Sequence, residues 1–171
     1  MAKHAKLSPS GSHKWLHCPA APRMEQEYGH QGDLSAANEG TAAHFLAAMI
    51  LEGWTTGPAA NESVPGKYLA VDSHGETTWV AGPVAGVYTK QVDHFLLERV
   101  LTYTNNIGRY LDEAEGTLFV EVGLPLQPIT GEEGAEGTAD AVILADDELQ
   151  VHDLKYGRTP VRAKGNTQLM I

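Results

Sequence analysis

Hydrophobic and polar positions follow a helical period up to Gly116 and a strand period after it. The run SAANEGTAAHFLAAMILEG is rich in Ala, Leu and Met and stops at a glycine, which predicts a helix over 35–53. Apolar residues spaced three and four apart predict a long amphipathic helix over 83–114 that ends at Gly116. Residues 54–83 are rich in Gly, Pro, Asn and Ser, and this composition predicts a loop or flap between the two helices.

After Gly116 the pattern predicts strands. TLFVEVGLPL, at 117–126, is rich in residues that favour strands, although its alternation is imperfect. The apolar runs GTADAVILAD and ELQVHDLKYG meet at two consecutive aspartates, which predicts an antiparallel hairpin. With a two-residue turn at 146–147, residues whose numbers sum to 293 face each other, and Asp140 therefore faces Asp153.

Shorter elements are predicted at both ends of the chain. LSPSGSHKWLHCP predicts a short helix with Ser8 as N-cap and Pro9 at its first position. VRAKGNTQLMI starts another helix, and we expect the chain to stop inside it, with the C-terminal part of the fold missing. The order predicts one domain over 1–171 of the α/β or α+β class, with an opening segment over 1–34 and an α-β-β-β-α core around a small mixed sheet over 84–171.

The composition is that of a folded chain with a hydrophobic core. At 171 residues, with 42% hydrophobic and 20% charged residues, the chain fits one domain. No apolar run approaches the roughly 20 residues that span a bilayer, and no apolar segment follows the basic N-terminus, so we expect no membrane partner and a cytoplasmic protein. The single cysteine, Cys18, excludes an internal disulfide framework and a cysteine-only metal cluster.

The charge is unevenly distributed. The net charge is −10, which by itself argues against nucleic acid as a partner. Residues 1–24 and residues 155–171 each carry four basic residues and no acid, whereas residues 25–154 carry a net −18. Short basic ends are common and often mean little. The alternative is that both basic flanks meet beside the hairpin.

The hairpin is where charged residues interrupt apolar runs. Asp153 and Lys155 share one face of their strand because side chains alternate with a period of two. Asp140 opposite Asp153 costs stability unless a cation lies between the carboxylates, and two carboxylates are typical ligands of a divalent metal. Lys155 beside such an ion can hold an attacking water and stabilise charge on a phosphate. The alternative is a surface hairpin with solvated acids, which the spacing alone favours slightly.

Two further residues are ambiguous when each is taken alone. Glu121 occupies the middle of LFVEVGL, where a strand interior favours an apolar residue. His44 lies in the largely apolar GTAAHFLAAMIL, and a lone histidine of this kind is more often a core residue than a ligand. Together with the hairpin, these residues favour a functional site.

The combination GTAD, HDLKYG and QLMI, with the upstream EGTAAHFLAA and FVEVGL, resembles the PD-(D/E)XK nucleases of the RecB-like branch. This branch includes the nuclease domains of bacterial recombination helicase–nucleases and the CRISPR adaptation nucleases. The resemblance covers residues 8–171, and LSPSGSHKWLHCP is similar to the opening segment of the branch. It implies a restriction-endonuclease-like core. The Pro-Asp of the motif is Ala139-Asp140 here.

The resemblance also implies roles for individual residues. His44, Asp140 and Asp153 are expected to ligate Mg²⁺ or Mn²⁺, with the carbonyl of Leu154 as a fourth ligand. Lys155 takes the role of the catalytic lysine. No iron–sulfur cluster is expected in this fragment, because relatives that hold one use four cysteines and only Cys18 is present.

Other roles implied by the resemblance lie outside the metal ligands. Glu121 corresponds to the acidic residue of the preceding strand and is expected to bind metal through water or a second ion. Gln168 matches the first residue of the Gln-x-x-x-Tyr motif, which in the family positions nucleic acid. We expect phosphate contacts from the basic flank just past the hairpin, namely from Arg158, Arg162 and Lys164. Trp15 is a candidate for stacking on a base of single-stranded DNA, although a tryptophan is more often part of a core.

The expected function is therefore a metal-dependent deoxyribonuclease, an exonuclease of phage or prophage origin that acts in the cytoplasm of a bacterial host. Its expected partner is linear DNA, single-stranded DNA included, and a homo-oligomer or a larger recombination complex is compatible with the resemblance. The alternative is a catalytically inactive module with the nuclease fold that binds nucleic acid or a protein. That alternative predicts the loss of a ligand or of the lysine, and both are kept here.

Overall fold

Helices and strands are about equally numerous in the residues that the computed structural model describes, which are 5–29, 33–56, 64–157, 161–162 and 164–169. The α-helices are α1 (Ser12–Trp15), α2 (Ala21–Tyr28), α3 (Ser35–Thr56), α4 (His94–Ala114) and α5 (Gln127–Thr130). The strands are β1 (Tyr68–Val71), β2 (Thr77–Val80), β3 (Tyr88–Gln91), β4 (Thr117–Pro125), β5 (Glu136–Leu144) and β6 (Leu149–His152). The predicted α+β class is confirmed.

The strands form two three-stranded sheets, with the orders β2-β1-β3 and β4-β5-β6. β1 pairs antiparallel with both β2 and β3, and β5 pairs antiparallel with β6. The sequence predicted one small mixed sheet. The first sheet was missed because two of its strands come from the predicted loop and the third from the predicted long helix.

The prediction of a loop over 54–83 is wrong for residues 68–71 and 77–80, which form β1 and β2. Residues 57–63 of this segment lie outside the described residues. The runs YLAV and TTWV are rich in β-branched and aromatic residues, and they were the available signal for two strands. The surrounding Gly and Pro residues outweighed that signal in the prediction.

The turn between β1 and β2 is built around the carboxylate of Asp72. Its Oδ1 accepts hydrogen bonds from the backbone N–H groups of His74, at 2.8 Å, and Glu76, at 2.9 Å. These hydrogen bonds lower the pKa of Asp72. Gly75 takes a φ of +82°, a conformation that glycine adopts without the steric cost of a Cβ atom. The turn is therefore specified locally by an aspartate and a glycine.

The helix predicted over 83–114 begins later than expected, at His94, and residues 88–91 form β3 instead. Asp93 caps α4, because its Oδ1 accepts the N–H of Leu96 at 2.8 Å. The apolar residues before Asp93 fit a helical spacing equally well. Antiparallel pairing with β1 makes them a strand, which shows that tertiary pairing overrode the periodic pattern.

The helix predicted over 35–53 corresponds to α3, which continues past Gly53 to Thr56. A glycine inside a helix costs only about 1 kcal/mol. Burial of neighbouring apolar side chains offsets that cost, since Leu46, Ile50 and Leu51 are each about 1% exposed. No helix in the described part of the chain is long and apolar enough to cross a membrane.

At the N-terminal end, the predicted cap is present: the Ser8 side chain accepts the N–H of Gly11, and a 3-10 helix over Pro9–Gly11 leads into α1. At the C-terminal end, the described residues contain a 3-10 turn over Thr167–Leu169 where a longer helix was expected. Residues 170–171 lie outside the described part. The sequence signalled neither α2 nor α5.

The chain divides into two compact units. The smaller unit comprises residues 1–32, 121–139 and 160–171, and the larger unit comprises residues 33–120 and 140–159. The prediction of a single nuclease domain stays a prediction. The main core of the larger unit is formed by side chains of α3, the first sheet and α4, among them Leu46, Ile50, Leu69, Leu96 and Val100. Its second core includes Leu51, Ile107, Leu118, Ala141 and Ile143.

Gly116 is required where α4 turns into β4. A Cβ atom at this position would lie 2.8 Å from the carbonyl oxygen of Leu144 and 2.9 Å from Cγ2 of Ile143. Because the first neighbour is backbone, we expect Gly116→Ala to lower the free energy of unfolding by about 1 to 3 kcal/mol in urea titrations. Gly40→Ala is the control, since nothing lies within 4 Å of its Cβ position, and it should be neutral or slightly stabilising. Equal stabilities of the two variants would contradict this account.

The cap of α4 should make stability depend on pH. The hydrogen bond from the backbone of Leu96 lowers the pKa of Asp93. A carboxyl group whose pKa is lower in the folded state contributes stability above its unfolded pKa of about 3.9 and loses it as the pH falls through the folded value. We expect Asp93→Ala to cost about 1 kcal/mol at pH 7 and to approach wild-type stability below about pH 3. A loss that stays constant over this range, measured by thermal unfolding, would refute the role of the ionised cap.

Candidate metal centre

The β5–β6 hairpin has the predicted register. Ala141 pairs with His152 and Leu144 pairs with Leu149, which confirms the two-residue turn at 146–147. The backbone N–H of Ala145 donates to the carbonyl of Glu148 at 2.9 Å and closes that turn. Asp140 is the first β5 residue of the larger unit. One pair beyond Ala141 and His152, the same register places Asp140 opposite the residue that follows β6.

The side chain of Asp140 is 15% exposed, and its two oxygens face different partners. Oδ2 accepts the backbone N–H of Leu154 at 2.6 Å. Oδ1 lies 3.2 Å from Nδ1 of His44. The carboxylate therefore fastens the end of the hairpin through one oxygen and meets a helix of distant sequence through the other.

His44 lies on α3. Its neighbours Ala42 and Ala43 are fully buried, and Ala47 is 3% exposed, so this stretch of the helix is held firmly in the main core. The side chain of His44 is 33% exposed, which leaves the ring at the edge of that core. The position that the sequence made ambiguous is thus neither a fully buried core position nor a fully solvated one.

Asp153 and Lys155 form an ion pair through Oδ2 and Nζ. The Asp153 side chain is 14% exposed and that of Lys155 is 38% exposed. Leu154, between them, is only 7% exposed and packs into the main core. The alternation expected of an extended segment therefore holds at this point, with the two charged side chains on one side and leucine on the other.

The distance between the candidate ligand atoms can be compared with the spacing of ligands around a divalent metal ion. In an octahedral site with metal–oxygen distances near 2.1 Å, adjacent ligand atoms lie about 3 Å apart. The 3.2 Å between Nδ1 of His44 and Oδ1 of Asp140 fits one edge of such a site. Among the described residues, no group of three or more His, Cys, Asp or Glu side chains is arranged to hold a metal ion. His44 and Asp140 can therefore supply part of the ligand set of Mg²⁺ or Mn²⁺. The carboxylate of Asp153, the other candidate ligand, is paired with Lys155.

A second charged cluster of the larger unit was not found from the sequence. Nζ of Lys90 lies 2.7 Å from Oε1 of Glu39 and 3.5 Å from Oδ2 of Asp93. The hydrogen bond with Glu39 raises the pKa of Lys90. Because these residues come from α3, from β3 and from the cap of α4, they tie together the elements that carry His44. Nothing in their spacing along the chain signals this.

His152, just before Asp153, was also not singled out. Its ring lies 5.6 Å from the ring of Tyr110, and Nε2 is 3.0 Å from Oε1 of Gln150. Burial lowers the pKa of His152, which favours the neutral imidazole at physiological pH. This histidine therefore adds no positive charge beside the two acids of the hairpin.

Glu121, Trp15 and Gln168 belong to the smaller unit. Glu121 is exposed and takes a φ of +51° within β4. The indole N–H of Trp15 donates to the carbonyl of Ser8 at 2.8 Å, and the side chain is half-buried in its own segment. The backbone N–H of Gln168 donates to Oδ1 of Asn166 at 3.1 Å.

Among the basic residues expected to contact phosphate, Arg162 and Lys164 are exposed in the smaller unit. Arg158 lies outside the described residues. The structure thus brings His44, Asp140, Asp153, Leu154 and Lys155 together within the larger unit. The roles of these and of the other predicted site residues stay predictions.

Comparison with known proteins adds a family but no activity. No solved structure matches the chain. A family model described as "Protein of unknown function (DUF2800)" matches residues 4–171. That description names no substrate, so the function has to be argued from the side chains of the larger unit. Since the match covers almost the whole sequence, the chain belongs to the DUF2800 family.

Proposed function

We propose that this protein is a metal-dependent deoxyribonuclease of the PD-(D/E)XK type. The observation that carries the proposal is the contact of His44 with Asp140, made directly beside the Asp153–Lys155 ion pair. Leu154 joins the two pairs, because its N–H binds Asp140 while its chain neighbours are Asp153 and Lys155. An imidazole–carboxylate pair and a carboxylate–ammonium pair are thus linked through Leu154, and these are the residues to which the sequence resemblance assigns roles.

Each carboxylate of this site lies close to a nitrogen-bearing side chain. Two carboxylates on facing strands repel each other, and such partly buried acids need positive partners. His44 faces one carboxylate and Lys155 neutralises the other. A divalent cation held by His44, Asp140 and Asp153 would take over that neutralising role, and the Leu154 carbonyl is a further candidate ligand. Because one donor is an imidazole, Mn²⁺ is at least as suitable as Mg²⁺.

When bound, such an ion polarises a phosphate oxygen and lowers the pKa of a coordinated water. The chain's own contribution is positional and electrostatic. The carboxylate of Asp153 holds the ammonium group of Lys155 beside the site, where its charge stabilises the negative charge that develops on the scissile phosphate. The fully buried helix residues next to His44 keep its ring at the carboxylate of Asp140.

The substrate that we propose is linear DNA in the cytoplasm of a bacterial host, with an exonuclease of phage or prophage origin as the specific form. The net charge of −10 is compatible with this substrate, because acidic residues are what a metal site requires. Arg162 and Lys164 are candidates for phosphate contacts, as is Arg158, with Gln168 and Trp15 as further candidates for nucleic-acid contacts. Glu121 is a candidate for an additional catalytic acid.

The second candidate is an inactive nuclease-fold module that binds nucleic acid or a protein. One observation favours it: within the described ranges, no three metal-ligating side chains are grouped around one point. The two candidates differ in whether a divalent ion binds and in whether DNA is cut.

The first prediction for this site concerns Lys155. We expect Lys155→Ala to lower the rate of Mn²⁺-dependent degradation of linear DNA by about 100-fold or more, because one charge that stabilises the transition state is lost. The rate is measured by release of acid-soluble nucleotides from single- and double-stranded substrates. Lys67→Ala removes an exposed lysine of the same unit and should retain activity. Undiminished cleavage by Lys155→Ala would remove the mechanism.

The second prediction concerns metal binding. Asp140→Asn keeps an oxygen that can accept the N–H of Leu154 but loses the negative charge. We expect calorimetric titration to show Mn²⁺ affinity reduced by at least about tenfold in this variant. Asp147→Asn, in the turn of the same hairpin, is the matched control and should bind as the unaltered protein does. Absence of Mn²⁺ binding by the unaltered protein would favour the inactive module.

A further inference from the structure

The first turns of α4 carry an exposed aromatic ring and an arginine. Phe95 is 70% exposed, which is the highest value among the large hydrophobic residues of the described chain. Arg99 lies four residues later, so the Cβ atoms of the two residues are about 5–6 Å apart on one helix face. The guanidinium carbon of Arg99 lies 5.6 Å from the centroid of the Tyr156 ring. We name these three residues the Phe95–Arg99–Tyr156 surface.

This surface adjoins the candidate metal centre. Tyr156 directly follows Lys155, and consecutive Cα atoms are about 3.8 Å apart. The Tyr156 ring packs at the edge of the main core, whereas the Lys155 side chain is exposed. The surface and the candidate site are thus linked by one peptide bond, between Lys155 and Tyr156.

Of the four basic residues in the acidic middle of the chain, Lys67 and Arg99 lie over aromatic rings, whereas Lys90 and Arg109 lie near carboxylates. Lys90 is held by Glu39 and Asp93, and Nη1 of Arg109 lies 3.6 Å from Oε1 of Glu113. Within the described ranges, Arg99 makes no ion pair with a carboxylate. Its guanidinium combines one aromatic contact with donors that match the geometry of a phosphate.

The two acids nearest to Arg99 along α4 and its cap make other contacts. Asp93 is engaged as the cap of α4, where it accepts the N–H of Leu96, and it also faces Lys90. Oε2 of Glu98 lies 3.7 Å from Nε2 of His94. Each of these carboxylates thus has a partner of its own on α4 or on β3.

We infer that the Phe95–Arg99–Tyr156 surface binds single-stranded DNA and leads it to the Lys155 site. A base stacks on the exposed ring of Phe95, and Arg99, stacked on Tyr156, contacts a phosphate. Bases in a duplex already stack on each other and present only their edges, so an exposed ring favours unpaired nucleotides. This inference rests on the proposed function, for which it names the form of the substrate.

The test measures binding without cleavage. Fluorescence anisotropy of labelled oligothymidylate is recorded in EDTA, with a duplex of the same length in parallel. We expect Phe95→Ala and Arg99→Ala each to raise the Kd for the single strand by about fivefold or more, and Phe95→Trp to preserve binding. The matched control is Arg109→Ala, which removes the other arginine of α4 that lies over a tyrosine ring, 4.6 Å from the centroid of Tyr110. It should change the Kd by less than about twofold.

Four results would overturn the inference. The first two are that the unaltered protein binds no single strands, and that both alanine variants keep the Kd of the unaltered protein. The third is that the alanine variants lose as much affinity for the duplex as for the single strand. The fourth is that Phe95→Ala changes the oligomeric mass in light scattering but leaves the DNA affinity unchanged.

The nuclease proposal fails separately. If the unaltered protein cuts no DNA with Mn²⁺ but Phe95→Ala and Arg99→Ala still weaken binding, the binding surface is supported and the nuclease proposal is refuted. If Lys155→Ala abolishes cleavage while neither alanine variant affects binding, the catalytic role stands and the surface falls.

Discussion

The carboxylate of Asp140 is the constraint on which the site of the larger unit depends. One oxygen accepts the N–H of Leu154 and the other lies 3.2 Å from the His44 ring, so a single side chain joins the hairpin to α3. A carboxylate that is only 15% exposed has lost most of its water and needs such partners. The partner strand brings a second acid, Asp153, whose charge is met by Lys155. The result is a polar site held at the margin of an apolar core.

The rest of the larger unit keeps these groups in place. Side chains of α3 fill the main core against the first sheet and α4, which fixes the helix that carries His44. Lys90 of β3 forms ion pairs with Glu39 of α3 and with Asp93, the cap residue of α4. These ion pairs connect α3 to the start of α4. Leu154 anchors the segment after β6 from the other side, since its side chain belongs to the same core. The charged residues therefore sit on a rigid apolar support, which a site with defined geometry requires.

An acidic protein can still present a surface for nucleic acid where its few basic residues are not neutralised. Only four basic residues lie between positions 25 and 154, and the structure uses them differently. Lys67 lies over the ring of Trp79. Lys90 is neutralised by two acids, and Arg109 lies near Glu113. Arg99 is directed to the ring of Tyr156, next to the lysine of the candidate site. Net charge alone conceals this difference, because it depends on which carboxylate each base meets in three dimensions.

Local rules determined what the sequence could predict. The length of the turn and the period of two were enough for the register of the hairpin, and Ser8 with Pro9 marked the first helical turn. Pairing between distant segments was needed for the rest. Residues 84–92 fit a helix by spacing, and only hydrogen bonding to β1 makes part of them a strand. Likewise, Lys90 with Glu39 and Arg99 with Tyr156 are 51 and 57 residues apart, and no sequence period connects them. The sequence by itself determined the register of the hairpin, because that register depends only on turn length and alternation. Tertiary packing alone decided that residues 88–91 form a strand and which partners Lys90 and Arg99 meet, because those partners come from distant segments.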